Sequence, residues 1–425
     1  MRLHGSRKNK NTTRLHPTNE DQSVGPRDGA RQYSVAGANE TSSGIQVRIR
    51  LAVLSSCLLV ECCPEIGRSI AACGERRSMR RMRMVVMALA ALLPVGGVAA
   101  MAQTATLDVL RTMHVGGDGG WDYVTADAQG HRLFVTRSTH TMVIDAVTGK
   151  TLGDIAGQKR SHGTALAPAV GRGFITDGGG DGGIVVFDLK TYAVLGTLAA
   201  MPDADGIIYD KADNLMLAVS GDGQALMTIK PDVDPVKGKI DPPIKLGGSP
   251  EFLAYGGDGK VYINLVDKDL VAVVDLKTRT VTARWPVAPG GKPVGLAIDR
   301  KGHKLFVGCR APQKLIVMST EDGKVLADLP IGAGVDATKF HAGLAYASSG
   351  DGTLTVASEV EGKFQVLQVV KTVAGARTMG LDESTNKVYL PTAEFEAPVP
   401  GAASKRPRPK PDTFMLVEVG KKDTK

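Results

Sequence analysis

The chain has 425 residues and a formal charge of +8. The whole excess lies in residues 1–102, with 15 Lys plus Arg against 7 Asp plus Glu, and the remaining 323 residues carry 37 of each. A neutral body has no electrostatic footprint for nucleic acid, and aromatics at 4% offer no stacking platform for single strands.

Residues 1–78 are rich in Arg, Ser, Asn and Gly and carry neither a repeat nor sustained strand alternation. They read as a disordered or non-native extension. Met79-Arg80-Arg81-Met82-Arg83, an apolar run from Met84 to Leu93 and the exit Ala100-Met101-Ala102 follow. A basic start, an apolar core and a small-x-small exit make residues 79–102 a secretory signal peptide, with cleavage before Gln103 and a true start near Met79 or Met82. The apolar run is shorter than the roughly 20 residues of a spanning helix, so no transmembrane span is expected after cleavage. Arg80-Arg81 permits a twin-arginine route, which the surrounding residues fit poorly. Cys57, Cys62, Cys63 and Cys73 lie upstream, leaving Cys309 alone as a small core residue. The expected location is periplasmic or secreted, and the expected state a monomer.

Beyond residue 103 the chain repeats. The stretch Lys292–Gly334 holds four short apolar runs, broken at Asp-Arg-Lys-Gly-His, Arg-Ala-Pro-Gln and Ser-Thr-Glu-Asp-Gly. It reads as a four-stranded meander that must stack on copies of itself to cover its faces. Marking the second strand of each copy gives Phe134, Phe174, Ala218, Tyr262, Phe306, Ala345 and Tyr389, at spacings of 40, 44, 44, 44, 39 and 44. These are seven units of propeller-blade length. The expected fold is therefore all-β, a seven-bladed β-propeller over residues 103–425. Thr106–Gly117 resembles a fourth strand with no unit before it, and Thr413–Gly420 a third strand with none after it. Together they complete one blade, so that the N-terminal strand closes the last blade and removes open edges.

Asp145, Asp188 and Asp275 open turns in which the carboxylate accepts amides two residues on. Residues 229–243 should form a longer surface excursion. Glu394–Asp412 is a Pro-rich loop, made basic by Lys405, Arg406, Arg408 and Lys410. It reads as solvated, or as a contact for an acidic partner.

Phe134-Val-Thr-Arg137, Tyr262-Ile-Asn-Leu265, Leu296-Ala-Ile-Asp299 and Val274-Asp-Leu-Lys-Thr278 resemble the repeat of YVTN-type seven-bladed propellers, and residues 104–422 as a whole resemble the YncE family. That resemblance implies an exported bacterial propeller without an established general reaction; the third and sixth units depart from the pattern.

First strands of propeller blades line the central channel, so the residues opening them converge at one mouth. Counting back from the marks gives Asp122, His162, Asp205, Glu251, Val294, Asp336 and Arg377, with Lys292 beside Val294. Carboxylates so crowded repel unless a cation or a polar ligand neutralises them. Three readings stay open. One is a solvated rim balanced by Arg377 and Lys292. The second is a site for a small polar ligand or an envelope protein partner, with Trp121 and Tyr123 packing between blades or stacking on the ligand. The third is a lactonase-like hydrolase in which Asp122, Asp205, Glu251 and Asp336 hold a divalent cation such as Ca²⁺ while His162 or Glu251 acts as general base. No Cys-x-x-Cys-His, His-Glu-x-x-His or Gly-x-Ser-x-Gly occurs after residue 103. Gly178–Gly183 sits between strands and reads as a hairpin loop, with no helix N-terminus to bind phosphate. His131, His303 and His341 fall in turns between first and second strands. The preferred reading is an exported binding propeller without established catalysis.

Overall fold

The computed structural model describes residues 106–397 and 407–422; residues 1–78, the expected signal peptide over 79–102, and Lys405 and Arg406 lie outside them. Among the described residues there are 27 strands and one single-turn 3-10 helix, Pro168–Val170. No helix there is long and apolar enough to cross a membrane.

Strand β1 is Leu107–His114. Strands β2 (Val124–Asp127), β3 (Arg132–Thr136), β4 (Ser138–Asp145), β5 (Thr151–Ala167), β6 (Arg172–Asp177), β7 (Gly183–Asp188) and β8 (Val194–Ala199) form one antiparallel sheet. β5 serves twice, pairing with β4 over Thr151–Ala156 and again at Ser161, and with β6 over Ser161–Ala167. Four-stranded antiparallel sheets follow in chain order. The first is β9 (Ala204–Asp210), β10 (Leu215–Ser220), β11 (Ala225–Ile229) and β12 (Ile244–Lys245), and the second is β13 (Pro250–Tyr255), β14 (Lys260–Leu265), β15 (Leu270–Asp275) and β16 (Thr280–Pro286). The expected meander is β17 (Pro293–Asp299), β18 (Lys304–Arg310), β19 (Gln313–Ser319) and β20 (Val325–Leu329). β21 (Val335–His341), β22 (Leu344–Ser349), β23 (Thr353–Val360) and β24 (Lys363–Lys371) make the next sheet. The last is β25 (Gly380–Asp382), β26 (Lys387–Thr392), β27 (Met415–Lys421) and, beside β27, the N-terminal β1, paired from Leu107 with Lys421 to His114 with Met415 with a register shift between Val109 and Arg111.

Burial explains the strand sequences. β18 is buried on both faces over Leu305–Cys309, whereas β16 alternates exposed and half-buried residues along its length. Second strands lie between two neighbouring sheets and so read as continuous apolar runs; fourth strands keep a wet face and a period of two. Along β14, Val261, Ile263 and Leu265 pack with Leu217 and Val219 of the preceding sheet, while Tyr262 packs with Leu305, Val307 and Cys309 of the following one. Every other sheet-to-sheet contact is built likewise. Leu133 and Val135 of β3 pack with Tyr389, Phe414 and Leu416 from the far end of the chain. Each fully buried aromatic such as Phe134 or Phe306 contributes about 1.5–3 kcal/mol.

Five of the seven marks (Phe134, Phe174, Tyr262, Phe306 and Tyr389) face the following unit in this way. The third and sixth are out of step by one residue. Ala218 packs with Phe174 and Ala345 with Phe306 of the preceding unit, whereas Leu217 and Tyr346 face forward. The spacing through those units is corrected accordingly.

The local devices follow the expected chemistry. Asp145 Oδ1 accepts the amides of Val147 and Thr148, Asp188 Oδ1 those of Lys190 and Thr191, and Asp275 Oδ1 that of Thr278. Gly178–Gly182 joins β6 to β7 as a hairpin loop. The 230–243 excursion is held to its neighbour: Arg172 Nη1 donates to Val233 O at 2.6 Å, and Val233 and Ile240 pack on the adjacent core. The base of the Pro-rich loop carries one ladder-like contact, Phe395 with Pro409, flanked by Glu396 N to Arg408 O and Lys410 N to Glu394 O.

Candidate functional site

Asp122, His162, Asp205, Glu251, Val294, Asp336 and Arg377 stand at or just before the start of the first strand of each unit, where the second half of β5 serves as one such strand. Their backbones are fixed from the neighbouring unit. Thr136 Oγ1 at the end of β3 donates to His162 O at 2.7 Å, and Thr176 Oγ1 in β6 donates to Asp205 O at 2.5 Å. Asn264 Nδ2 donates to Gly295 O at 3.0 Å, Ser348 Oγ to Arg377 O, and Thr378 Oγ1 to Asp122 O at 2.8 Å. Thr136 and Thr176, two places after aromatic marks, thus hold the opening residue of the next unit, and Asn264, at the same offset, holds the residue after it. Glycine follows His162 and Asp205 because adjacent inner strands touch there: a Cβ on Gly163 would lie 2.9 Å from Ile207 Cγ2, and one on Gly206 2.8 Å from Glu251 O.

Six of the polar candidates converge in two linked groups. His162 Nδ1 donates to Asp122 Oδ2 at 2.6 Å, and Arg160 Nε donates to His162 Nε2 at 3.0 Å. Those partners assign a neutral imidazole with its proton on Nδ1. Asp205 Oδ1 is buried, lies 3.6 Å from His162 Nδ1 and has no hydrogen-bond partner among the described residues. In the second group Asp336, only 6% exposed, is gripped by both Arg310 and Arg377, and Arg310 Nη2 also lies 3.8 Å from Glu251 Oε1. Burial, then the charges of Asp122 and Glu251, hold the Asp205 carboxyl well above the usual carboxylate range. Burial also raises Glu251, against the pull of Arg310.

Lys292 stands apart. Its side chain is exposed and makes no hydrogen bond or ion pair among the described residues; only its backbone is engaged, the amide donating to Asp269 Oδ1 and the carbonyl accepting from Arg310 N. Arg310, at the end of β18, and Arg160, two residues before His162, supply the cationic side of the cluster. Neither stands at a strand opening, and their one sequence signal is an Arg beside an opening residue or at a second-strand end. Val294 is fully buried. Asp336 is committed to its two arginines, so the atoms close enough to share one cation belong to Asp122, His162 and Asp205, all within 4.8 Å of one another. His131 and His303 sit in turns at φ 51° and 53°, and His341 at the end of β21.

A cavity of about 650 Å³ adjoins this cluster, lined by Trp121, Arg310, Arg377, Phe395, Pro407 and Pro409 among others. Trp121 is placed by the 116–120 loop, which buried Arg137 organises by donating to the carbonyls of Gly116, Gly117, Asp118 and Gly120 at 2.8–3.3 Å. The Arg137 guanidinium also lies 3.9 Å from the Phe414 ring centroid, and burial pushes it down to about 10, still charged at neutral pH. The Trp121 ring packs on Phe395 and Phe414 at 6.1 and 5.5 Å and lines the cavity. Tyr123, beside Asp122, packs inward on Phe252 at 5.1 Å; burial and the nearby carboxylates push its hydroxyl well above its ordinary value.

No protein-family profile and no curated sequence matches the chain. Solved structures do. A chain of the hydrazine synthase of Kuenenia stuttgartiensis aligns with a TM-score of 0.56 at 13% identity, over 65% of this chain and 94% of that one. The WD40 repeats of RRP9 align with a TM-score of 0.59 at 10% identity, over 74% and 97%. WD40 repeats are four-stranded propeller blades, and the likeness supports a β-propeller fold for this chain.

Proposed function

We propose that this protein is an exported, seven-bladed propeller of the YncE type that binds a small polar ligand at the mouth of its central channel. Seven blades follow if the two halves of β5 belong to two units and the contact of β3 with β26 and β27 closes the ring; the run of seven hydrophobic clusters among the described residues, one of them between the two halves of the β2–β8 sheet, supports this. Export rests on the signal-like residues 79–102.

The observation that carries the binding reading is the buried Asp205 Oδ1, which has no hydrogen-bond partner among the described residues although Asp122 and His162 stand within 4.8 Å of it; burial and the neighbouring carboxylates raise its pKa. Carboxyls as close as those of Asp122 and Asp205 disfavour joint ionisation, and a cationic or donor-rich group from a ligand offsets the repulsion. The favoured ligand directs such a group at Asp205 and rests its body on Trp121.

A second reading, the divalent-cation hydrolase, draws on the closeness of Asp122, His162 and Asp205. A metal on His162 Nδ1 must displace the proton given to Asp122 and put one on Nε2, where Arg160 already donates. This conflict ranks it second. Thermal melts with spermidine and arginine, and with Ca²⁺, Mg²⁺ and Zn²⁺, separate the two, because a native-state ligand raises the midpoint by mass action. An amine shift lost in Asp205→Asn supports the binding reading. A stoichiometric ion, with lactone hydrolysis abolished by Glu251→Ala, transfers the assignment to the hydrolase, and no shift with any of these probes overturns both.

A further inference from the structure

Further along the same first strands lies a second cavity, of about 350 Å³, that the mouth does not use. Its walls include Tyr123, Ile207, Phe252, Phe340 and Leu381, and one cation, Lys339 of β21, enters it. Among the described residues the Lys339 ammonium has no ion pair within 4.0 Å and no hydrogen-bond acceptor; its closest organised neighbour is the Phe252 ring, with Nζ 5.1 Å from the centroid. A ring face offers an ammonium on the order of 1 kcal/mol, well short of what a carboxylate supplies.

We propose that this cavity is a binding site for a small organic monoanion with an apolar or aromatic body, its carboxylate paired to Lys339 and its body against Phe252 and Phe340. The charged groups around it fit a monoanion better than phosphate. Glu383, on the cavity wall, repels a second negative charge, and His341 on the same strand turns to Glu383 at 3.9 Å instead of entering. Tyr123 and Tyr209 add only phenolic groups. Burial lowers the Lys339 pKa against the pull of Glu383. A bound carboxylate would restore the ammonium, so affinity is full below the free-protein pKa of Lys339 and falls as pH rises past it.

The test uses the full chain and benzoate as probe, with benzyl alcohol as the uncharged control, read by calorimetry and by the melting midpoint. Benzoate is expected to bind the wild type, and Lys339→Met to weaken it at least about tenfold, near 1.4 kcal/mol. Lys339→Arg should retain binding with a weaker loss at alkaline pH, since guanidinium stays charged there. Circular dichroism of both variants establishes that they are folded. Equal affinity in wild type and Lys339→Met, equal binding of benzyl alcohol, or no benzoate binding at millimolar concentration by folded protein each overturns the proposal. Asp205→Asn should leave benzoate binding unchanged, so the fate of the mouth does not decide that of this cavity.

Discussion

Arg137→Met perturbs the mouth from behind, without touching the acidic cluster. Four backbone carbonyls of the 116–120 loop lose their only side-chain donor, and the Phe414 ring loses its cation. A charged hydrogen bond contributes about 1.5–3 kcal/mol net, but the loop can turn some carbonyls to water, so not all four losses count. Removing one member of a buried charged network typically costs about 3–5 kcal/mol, and the expected destabilisation lies in that range. Guanidinium denaturation measures it. Arg137→Lys keeps the charge but not the fork, and should fall between wild type and Met. In a Trp285→Phe background Trp121 is the sole tryptophan, so its emission should shift red in Arg137→Met as the loop loosens and water reaches the ring. A Met variant within about 1 kcal/mol of wild type, with unshifted emission, would refute the claim that Arg137 builds this wall of the cavity.

Three further outcomes are expected. Asp205 has a folded-state pKa raised above its unfolded value, so its cost is absent where both states are protonated, below about pH 4, and grows as pH rises through the folded value. Asp205→Asn should therefore melt higher than wild type at pH 8 and lose that advantage near pH 4; equal midpoints at both would count against the burial argument. Thr176→Val removes the donor to Asp205 O and should cost about 1 kcal/mol in urea, with Thr176→Ser close to wild type. The Cys309 thiol, fully buried and pushed up to about 12, should resist a maleimide in native buffer and react only in denaturant.

The fold was legible because its strands sit between like neighbours. A second strand buried on both faces has to be apolar throughout, and an aromatic fits where the following sheet leaves room, as at Phe134, Phe174, Tyr262, Phe306 and Tyr389. The two marks placed on alanine, Ala218 and Ala345, were the two out of step. Alanine fits either face of a strand, so parity cannot be read from it, whereas Tyr346 beside Ala345 held the information. At the site, Asp122, His162, Asp205, Glu251, Asp336 and Arg377 came from counting alone, since a repeat carries each opening residue to an equivalent place. Arg310 and Arg160 did not, because they reach the cluster through side chains about six bonds long, whose direction no repeat period specifies. Lys292 erred for the same reason. It stands at the right height in the chain, yet its own backbone, at φ 51° and bonded to Asp269, leaves the side chain in solvent.

The threonines and asparagine that follow the aromatic marks connect fold and site. Thr136, Thr176 and Asn264 sit on apolar strands where a hydroxyl or amide is costly unless paired, and each pairs with a carbonyl at or beside the opening residue of the next unit. The repeat motif is thus also a device for holding the mouth. With the carbonyls of Asp122 and Asp205 held by Thr378 and Thr176, these two residues cannot shift apart along their strands, so protons or a ligand must relieve their repulsion instead. In a looser barrel of loops the same two carboxylates would swing into water and be ordinary surface acids. Preorganisation by neighbouring sheets is what suits them to the proposed site, and on that proposal ligand affinity should depend on residues such as Thr176 that never touch the ligand.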